Sequence, residues 1–292
     1  MTKKKYTLGF IGIGLMGQPM TLRLLAAGFN VNVWNRSKEK LNSVLAAGAT
    51  AYPTITELVN VSDIIILCLA NTSVVESVVT KNILNSTDSG KLLIDLSSIH
   101  PQTTKQLAIQ LKQQCNMGWV DAPVSGGTAG AEQGSLAIMA GGSVSDINIA
   151  REVLKPLYKQ LTHMGDIGSG QVSKICNQMI VSCNVMVIAE MMALAQASGV
   201  DATKIPQALA GGFADSKPLQ IVGPEMATNT FEPVKWRVQT LLKDLNMAVD
   251  LSNQHGNSTP MSGLAAQLMQ LHGNQGYLEQ DPSTLIKLFT KE

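Results

Sequence analysis

The first half of the chain alternates between short runs of apolar, β-prone residues and segments that repeat an apolar residue every three or four positions. Residues 6–11 form the first such run, followed by a helical pattern over 16–27 that stops at Gly28. A second run at 30–34 precedes a second helical pattern at 38–47, which stops at Gly48. Residues 63–69 (DIIILCL) are nearly all Ile and Leu, as expected of a strand buried on both faces. Further strands are expected at 91–95, 119–121 and 136–140, the last closed by Gly141 and Gly142. Strands that alternate with helices predict a parallel sheet covered on both sides.

Beyond residue 165 no β-alternation is found. Residues 171–198 read as one long helix, rich in Met, Ala and Val and ended by Gly199; helical patterns follow at 202–210, 217–226, 238–254 and 261–275. The expected fold class is α/β. An N-terminal Rossmann-type, doubly wound domain over residues 1–165 is joined by the long helix to an all-α C-terminal domain over 166–292, with the break at the glycine-rich turn 165–170.

A chain of 292 residues has room for one large or two smaller cores. Its formal net charge of +1 gives no electrostatic reason to bind nucleic acid or an anionic membrane. Lys3, Lys4 and Lys5 ahead of apolar residues imitate a secretory leader, but three glycines and Arg23 interrupt the run, so it is read as a solvated end. No unbroken stretch of about 18 apolar residues is found; the nearest, 185–195, contains Glu190. Cys68, Cys115, Cys176 and Cys183 have neither CxxC spacing nor a neighbouring histidine pair, so no metal site is expected. Scattered thiols point to a reducing, cytoplasmic compartment.

Gly12-Ile13-Gly14-Leu15-Met16-Gly17 lies between the first strand and the first helix, the setting in which a GxGxxG turn binds a dinucleotide. Gly12 permits the tight turn, Gly14 leaves room for the pyrophosphate, and Gly17 lets helix and strand approach. The phosphates then meet unpaired amides at the helix N-terminus. Where an NAD site carries an acidic residue at the end of the second strand, this chain has Asn35-Arg36-Ser37. With no carboxylate to repel a 2′-phosphate and a guanidinium to hold it, NADP(H) is expected as the preferred cofactor and NAD(H) as the weaker alternative. Leu69-Ala70-Asn71-Thr72 and Ser97-Ser98 follow buried strands at the same sheet edge; each is a contact to the nicotinamide half or a helix cap or turn.

Hydride transfer to a carbonyl needs a proton donor for the developing alkoxide. His100, His163, His255 and His272 form no recognisable dyad. Lys174 lies early in the long helix, and Asn177, three positions on, projects from the same face. A lysine shielded from water beside the cofactor is a proton donor, with Asn177 orienting it or the substrate; an exposed surface lysine is the competing reading. In Asp121-Ala122-Pro123-Val124-Ser125-Gly126-Gly127, the Ser125 hydroxyl and the amides of Gly126 and Gly127 offer donors to a carboxylate, with a plain turn as the alternative.

Together these segments resemble the β-hydroxyacid dehydrogenase family, which includes 3-hydroxyisobutyrate dehydrogenase and tartronate semialdehyde reductase. Residues 9–17 look like the family's opening, 121–127 (DAPVSGG) like its substrate loop, 165–177 (GDIGSGQVSKICN) like its catalytic segment, and Lys243-Asp244-Leu245 like a late motif, in family order over essentially the whole chain. The resemblance implies that Lys174 is the general acid and Asn177 its partner, and that Ser125, Gly126 and Gly127 bind the substrate carboxylate. It further implies that Ser98 contacts the cofactor and that Lys243 closes over the nicotinamide site, supported by Asp244. Imine reductases share the fold but usually lack this lysine. Gly211-Gly212-Phe213-Ala214-Asp215-Ser216, and Trp236-Arg237 ahead of Lys243, look most similar to tartronate semialdehyde reductases. Trp236 stands where Phe is common, and Arg237 is a candidate for a second carboxylate or a structural residue. The family also implies a homodimer or homotetramer through the helical domain, with the Met-rich stretch 186–192 as a contact face or as intrachain core. The expected function is NADP(H)-dependent, reversible reduction of a small carboxylate semialdehyde of the tartronate type. The alternatives are 3-hydroxyisobutyrate, succinic semialdehyde or glyoxylate as substrate, and, in another class, a non-catalytic dinucleotide-binding scaffold.

Overall fold

The computed structural model describes residues 6–84 and 90–290; the Lys3-Lys4-Lys5 cluster lies outside them. The chain packs as two compact units, Met1–Lys174 and Ile175–Glu292.

In the first unit β1 (Thr7–Ile11), α1 (Gly17–Ala26), β2 (Asn30–Trp34), α2 (Asn42–Ala46), β3 (Thr50–Ala51), α3 (Ile55–Asn60), β4 (Ile64–Leu67), α4 (Thr72–Val78), β5 (Leu92–Asp95), α5 (Pro101–Cys115) and β6 (Gly118–Asp121) alternate along the chain. Their strands form a parallel sheet in the order β3-β2-β1-β4-β5-β6. β1 is flanked by β2 and β4, so the winding of the sheet reverses there, and a crevice at the carboxyl ends of such strands is where ligands bind. The Ile/Leu run predicted over 63–69 forms the shorter β4, and its side chains divide by period two. Ile64 and Ile66 join the core under one sheet face with Leu8, Phe10 and Ile94, while Ile65 and Leu67 join the opposite core with Ile11 and Leu93.

The chain continues through β7 (Val124–Ser125), α6 (Gly127–Gln133), β8 (Leu136–Gly141), α7 (Val144–Leu154) and β9 (Tyr158–Gly165). β8 runs antiparallel to β6 and β7, and β9 lies parallel to β8. β9 escapes a search for apolar runs because it is a half-exposed edge strand, with Lys159, Gln160 and Thr162 among its residues. α5 also goes unpredicted, although Leu107, Ala108, Leu111 and Cys115 recur on one face at helical spacing; Pro101 and a His100 side chain that accepts from the Gln102 amide begin it. The helix predicted over 38–47 is a 3-10 turn (Lys38–Leu41) running into α2.

The long helix α8 (Ser169–Ala197) leads to α9 (Ile205–Leu209), α10 (Lys217–Thr228), α11 (Val238–His255) and α12 (Pro260–His272), then a 3-10 turn at Pro282–Leu288. No strand occurs among the described residues of the second unit. Its core is built from Val185, Ala189 and Met192 of α8, Leu219 and Val222 of α10, Leu241 and Leu245 of α11, and Met269 of α12. α8 holds no long unbroken apolar run, yet averaged over 18 residues its mean hydropathy reaches 1.6, enough by length and composition to cross a membrane. One side of it, with Val185, Met186, Ile188, Ala189 and Met192, lies in the core of the second unit, so Met186 and Met192 are intrachain core, while Ile180, Val187 and Leu194 are exposed.

Candidate active site

The glycine turn has the steric profile that a dinucleotide requires. Gly12 sits at φ +106, a region costly for any residue with a Cβ, and a Cβ there would lie 2.2 Å from the Cys68 carbonyl oxygen. A Cβ on Gly17 would lie 1.9 Å from the Gly12 oxygen, so α1 starts directly against the turn. Around Gly14 nothing lies within 4 Å of the Cβ position. The start of α1 carries no side-chain cap, but the Gln18 amide donates to the Gly14 carbonyl at 3.0 Å and Pro19 has no N–H, so an anion would meet the amides of the turn just ahead of the helix. A cleft of about 290 Å³ opens beside the turn, lined by Ile13, Gly14, Leu15, Gln18, Lys40 and Ser43 among others. The residues present therefore fit a dinucleotide pyrophosphate: open space at Gly14, turn amides ahead of α1, and tight packing at Gly12 and Gly17. Leu15 is 74% exposed at the cleft, while Met16 precedes the helix and packs against the core beneath.

Asn35 ties this turn to the end of β2. Its Oδ1 accepts from the Ile13 amide at 3.0 Å and its Nδ2 donates to the Ser37 carbonyl at 2.8 Å, so its carboxamide holds the loop in shape. Arg36 is exposed at the same strand end, and Ser37 leads into the 3-10 turn. Below the turn, burial first, then the nearby Asp95 carboxylate, pushes the Cys68 thiol up to about 12.

Hydrogen bonds also link the ends of the neighbouring strands β4 and β5. The Leu69 amide donates to Ser97 Oγ at 2.9 Å, and the Ser97 amide donates to Asp95 Oδ1 at 2.9 Å. Ala70 follows in the same loop, and Asn71 caps α4, its Oδ1 accepting from the Val74 amide at 3.0 Å. Ser98 is half-buried between Ser97 and Ile99. From the adjacent strand β6, buried Asp121 accepts from the Gly168 amide at 2.7 Å and the Gln171 amide at 3.0 Å, fastening the first turn of α8. Desolvation pushes the Asp121 carboxyl up to about 6, against backbone amides that lower it. The fit is close: a Cβ on Gly141 or Gly170 would come within 2.9 Å of an Asp121 carboxylate oxygen.

Lys174, one turn further along α8, is only 9% exposed. That excludes the surface-lysine reading. In the DAPVSGG loop Ser125 pairs opposite Ala137 in β7, and Gly126 and Gly127 take φ +138 and +64 at the start of α6, with open space around Gly127.

In the second unit the predicted residues form a separate chain of contacts. Asn177 Nδ2 donates to Gln178 Oε1 at 2.8 Å, Gln178 Nε2 donates to Asp244 Oδ2 at 2.6 Å, and Lys243 Nζ lies 3.2 Å from Asp244 Oδ1. Trp236 packs against the helical core with its indole Nε1 buried and unbonded. Arg237 is paired at the surface with Glu279, Nε to Oε2 at 3.1 Å.

Two family models match in succession: the NAD binding domain of 6-phosphogluconate dehydrogenase over residues 7–165, and the NAD-binding domain of NADP-dependent 3-hydroxyisobutyrate dehydrogenase over residues 168–289. The 2-hydroxy-3-oxopropionate reductase of Escherichia coli K12 is 33% identical over 96% of this chain and 96% of its own. The chain belongs to the β-hydroxyacid dehydrogenase family. Another relative is the NAD-dependent L-serine dehydrogenase of Pseudomonas aeruginosa, 31% identical over 97% of both chains. Among solved structures, Psf3 in complex with NADP+ and 2-OPP superimposes with a TM-score of 0.89 at 26% identity, covering 97% of this chain and 100% of that one. As a β-hydroxyacid dehydrogenase the protein is an NAD(P)-dependent oxidoreductase. Sequence reasoning gave no role to Asp121, Gln171 or Gln178. The glycines around Asp121 and the Gln that follows Gly170 were the available signals, but their partners lie about 50 to 70 positions away.

Proposed function

We propose that this β-hydroxyacid dehydrogenase reversibly reduces a small carboxylate semialdehyde of the tartronate semialdehyde type, using NADPH. The observation that carries the reading is the buried Lys174 on the turn of α8 that Asp121 fastens to the strand ends. When bound, the nicotinamide supplies the hydride. Lys174 Nζ gives its proton to the substrate oxygen as the alkoxide develops and takes it back in the oxidative direction. The Ser125 hydroxyl and the amides of Gly126 and Gly127 hold the substrate carboxylate, and Asn177 orients the lysine or the substrate. Trp236, Arg237 and Asp244 are assigned to the substrate side, and Lys243, Ser98 and the Leu69-Ala70-Asn71 loop to the nicotinamide side, on the family resemblance. Exposed Arg36, in a strand end with no carboxylate at 35–37, supports NADP(H) over NAD(H). Four free thiols fit a reducing, cytoplasmic compartment. Self-association through α8 is supported by Ile180, Val187 and Leu194, which recur every seventh position and are 71%, 53% and 68% exposed.

The test is NADPH and NADH oxidation across tartronate semialdehyde, methylmalonate semialdehyde, succinic semialdehyde and glyoxylate, with L-serine and 3-hydroxyisobutyrate in the oxidative direction. Tartronate semialdehyde with NADPH should give the highest kcat/KM. Lys174→Ala should lose about 10²–10⁴-fold in kcat, the range for general acid–base groups, with NADPH affinity nearly intact. An NADH preference refutes the cofactor assignment. Turnover retained in Lys174→Ala refutes the role of the lysine, and no turnover with any substrate favours a scaffold.

A further inference from the structure

Ser98 stands between two buried residues whose backbones are held by one side chain. Gln171 Nε2 donates to the Ser97 carbonyl at 2.9 Å, and Gln171 Oε1 accepts from the Ile99 amide at 3.1 Å. Only this orientation of the carboxamide satisfies both groups, and it bonds the 97–99 segment as a neighbouring strand would. Gln171 is 1% exposed, so neither backbone group has water as a substitute partner if the side chain is removed. The backbone amide of the same residue is received by Asp121 at the end of β6. Residue 171 is thus anchored twice, by its amide to the end of β6 and by its side chain to the segment after β5. Those strands are parallel neighbours, with Asp95 opposite Asp121. Lys174 follows three positions on, one helical turn along the same face.

We propose that Gln171 is a positioning residue whose carboxamide locks the Ser98 segment to the first turn of α8, presenting the Ser98 hydroxyl and the Lys174 amine in one frame. The catalytic consequence rests on the reductase reading above. A shift of about 1 Å in such a frame is enough to cost up to about 100-fold in rate.

The experiment compares Gln171→Met, which keeps the length of the side chain without its hydrogen bonds, with Gln171→Glu. For Gln171→Met, with a cooperative melt, kcat should fall at least about tenfold while the NADPH Kd and the substrate KM stay within about threefold. Backbone amide exchange over 97–99 should accelerate. Gln171→Glu repeats both bonds when its carboxyl is protonated and faces Ser97 O with a bare oxygen when it is ionised. Its kcat relative to the wild type should therefore fall as pH rises, a dependence that a merely structural role does not produce. A Gln171→Met kcat within twofold of the wild type, or a pH-independent Gln171→Glu ratio, overturns the proposal. If Gln171→Met fails to fold, the Gln171→Glu ratio decides alone. A wild type with no turnover refutes the reductase reading instead, and amide exchange at 97–99 then decides whether Gln171 pins the segment.

Discussion

Gly14→Ala and Gly17→Ala should separate binding from stability. At Gly17 the new methyl would start 1.9 Å from the Gly12 oxygen, whereas real Cβ contacts do not fall below 3.0 Å, so the start of α1 must retreat by about 1 Å. Overpacking of this kind costs about 1–3 kcal/mol, which for a domain this size lowers Tm by several degrees. The same retreat moves the amides ahead of α1 off the pyrophosphate. Charge-assisted bonds contribute about 1.5–3 kcal/mol each, so losing two raises the NADPH Kd by roughly 10²–10⁴-fold. Gly14 differs because its φ is not left-handed and nothing lies within 4 Å of its Cβ position. Alanine there leaves the apo fold unchanged or stabilises it by about 0.4–1 kcal/mol through the unfolded chain. Its methyl nevertheless fills the space assigned to the pyrophosphate, so NADPH affinity should fall at least about tenfold, some 1.4 kcal/mol. Thermal melts of the apo proteins and fluorescence titration with NADPH read both quantities. Wild-type NADPH affinity in Gly14→Ala, or a melt lowered as far as that of Gly17→Ala, would refute the reasoning.

Two further outcomes are expected. His272 is buried, stacked on Tyr277 at 4.3 Å and bonded through Nε2 to Thr284 Oγ1; burial first, then the Lys287 charge, holds its pKa down to about 4. Protons then bind the unfolded chain more readily between about pH 6.5 and 4, so this contribution to stability is full above 6.5 and is lost as pH falls through 4. Urea midpoints across that range should fall less steeply in His272→Gln than in the wild type, and parallel curves would sink the assignment. If the protein self-associates through α8 as proposed, Leu194→Glu on its exposed stripe should shift the molar mass by light scattering toward the monomer; an unchanged mass refutes that self-association.

The legible parts of the sequence were those whose physics is local. A glycine turn between a strand and a helix is confined to a few neighbouring residues, and the Ile/Leu run of β4 announces its burial by composition alone. β9 was hidden because an edge strand needs few apolar residues, whereas the stripe of α5 at 107, 108, 111 and 115 was legible at helical spacing and went unread among its many Gln and Lys residues. Residues 35–37 show a middle case. The absence of a carboxylate was readable, yet the task of Asn35, bracing the turn through the Ile13 amide, required β1 and β2 to lie side by side.

By itself the sequence determined the α/β class with most of the sheet's strands, the dinucleotide turn, the long helix and the position of Lys174 within it, because periodicity, composition and short motifs act over a few residues. The tertiary structure decided that Lys174 is buried, that Arg237 is engaged by Glu279, and that Asp121 and Gln171 fasten the start of α8 to two neighbouring strand ends. The Asp121 and Gln171 contacts depend on which buried donors find acceptors about 47 to 74 positions away. Burial forces such pairings, since an unmet polar group there costs about 1–3 kcal/mol, but no local pattern records which partner is chosen.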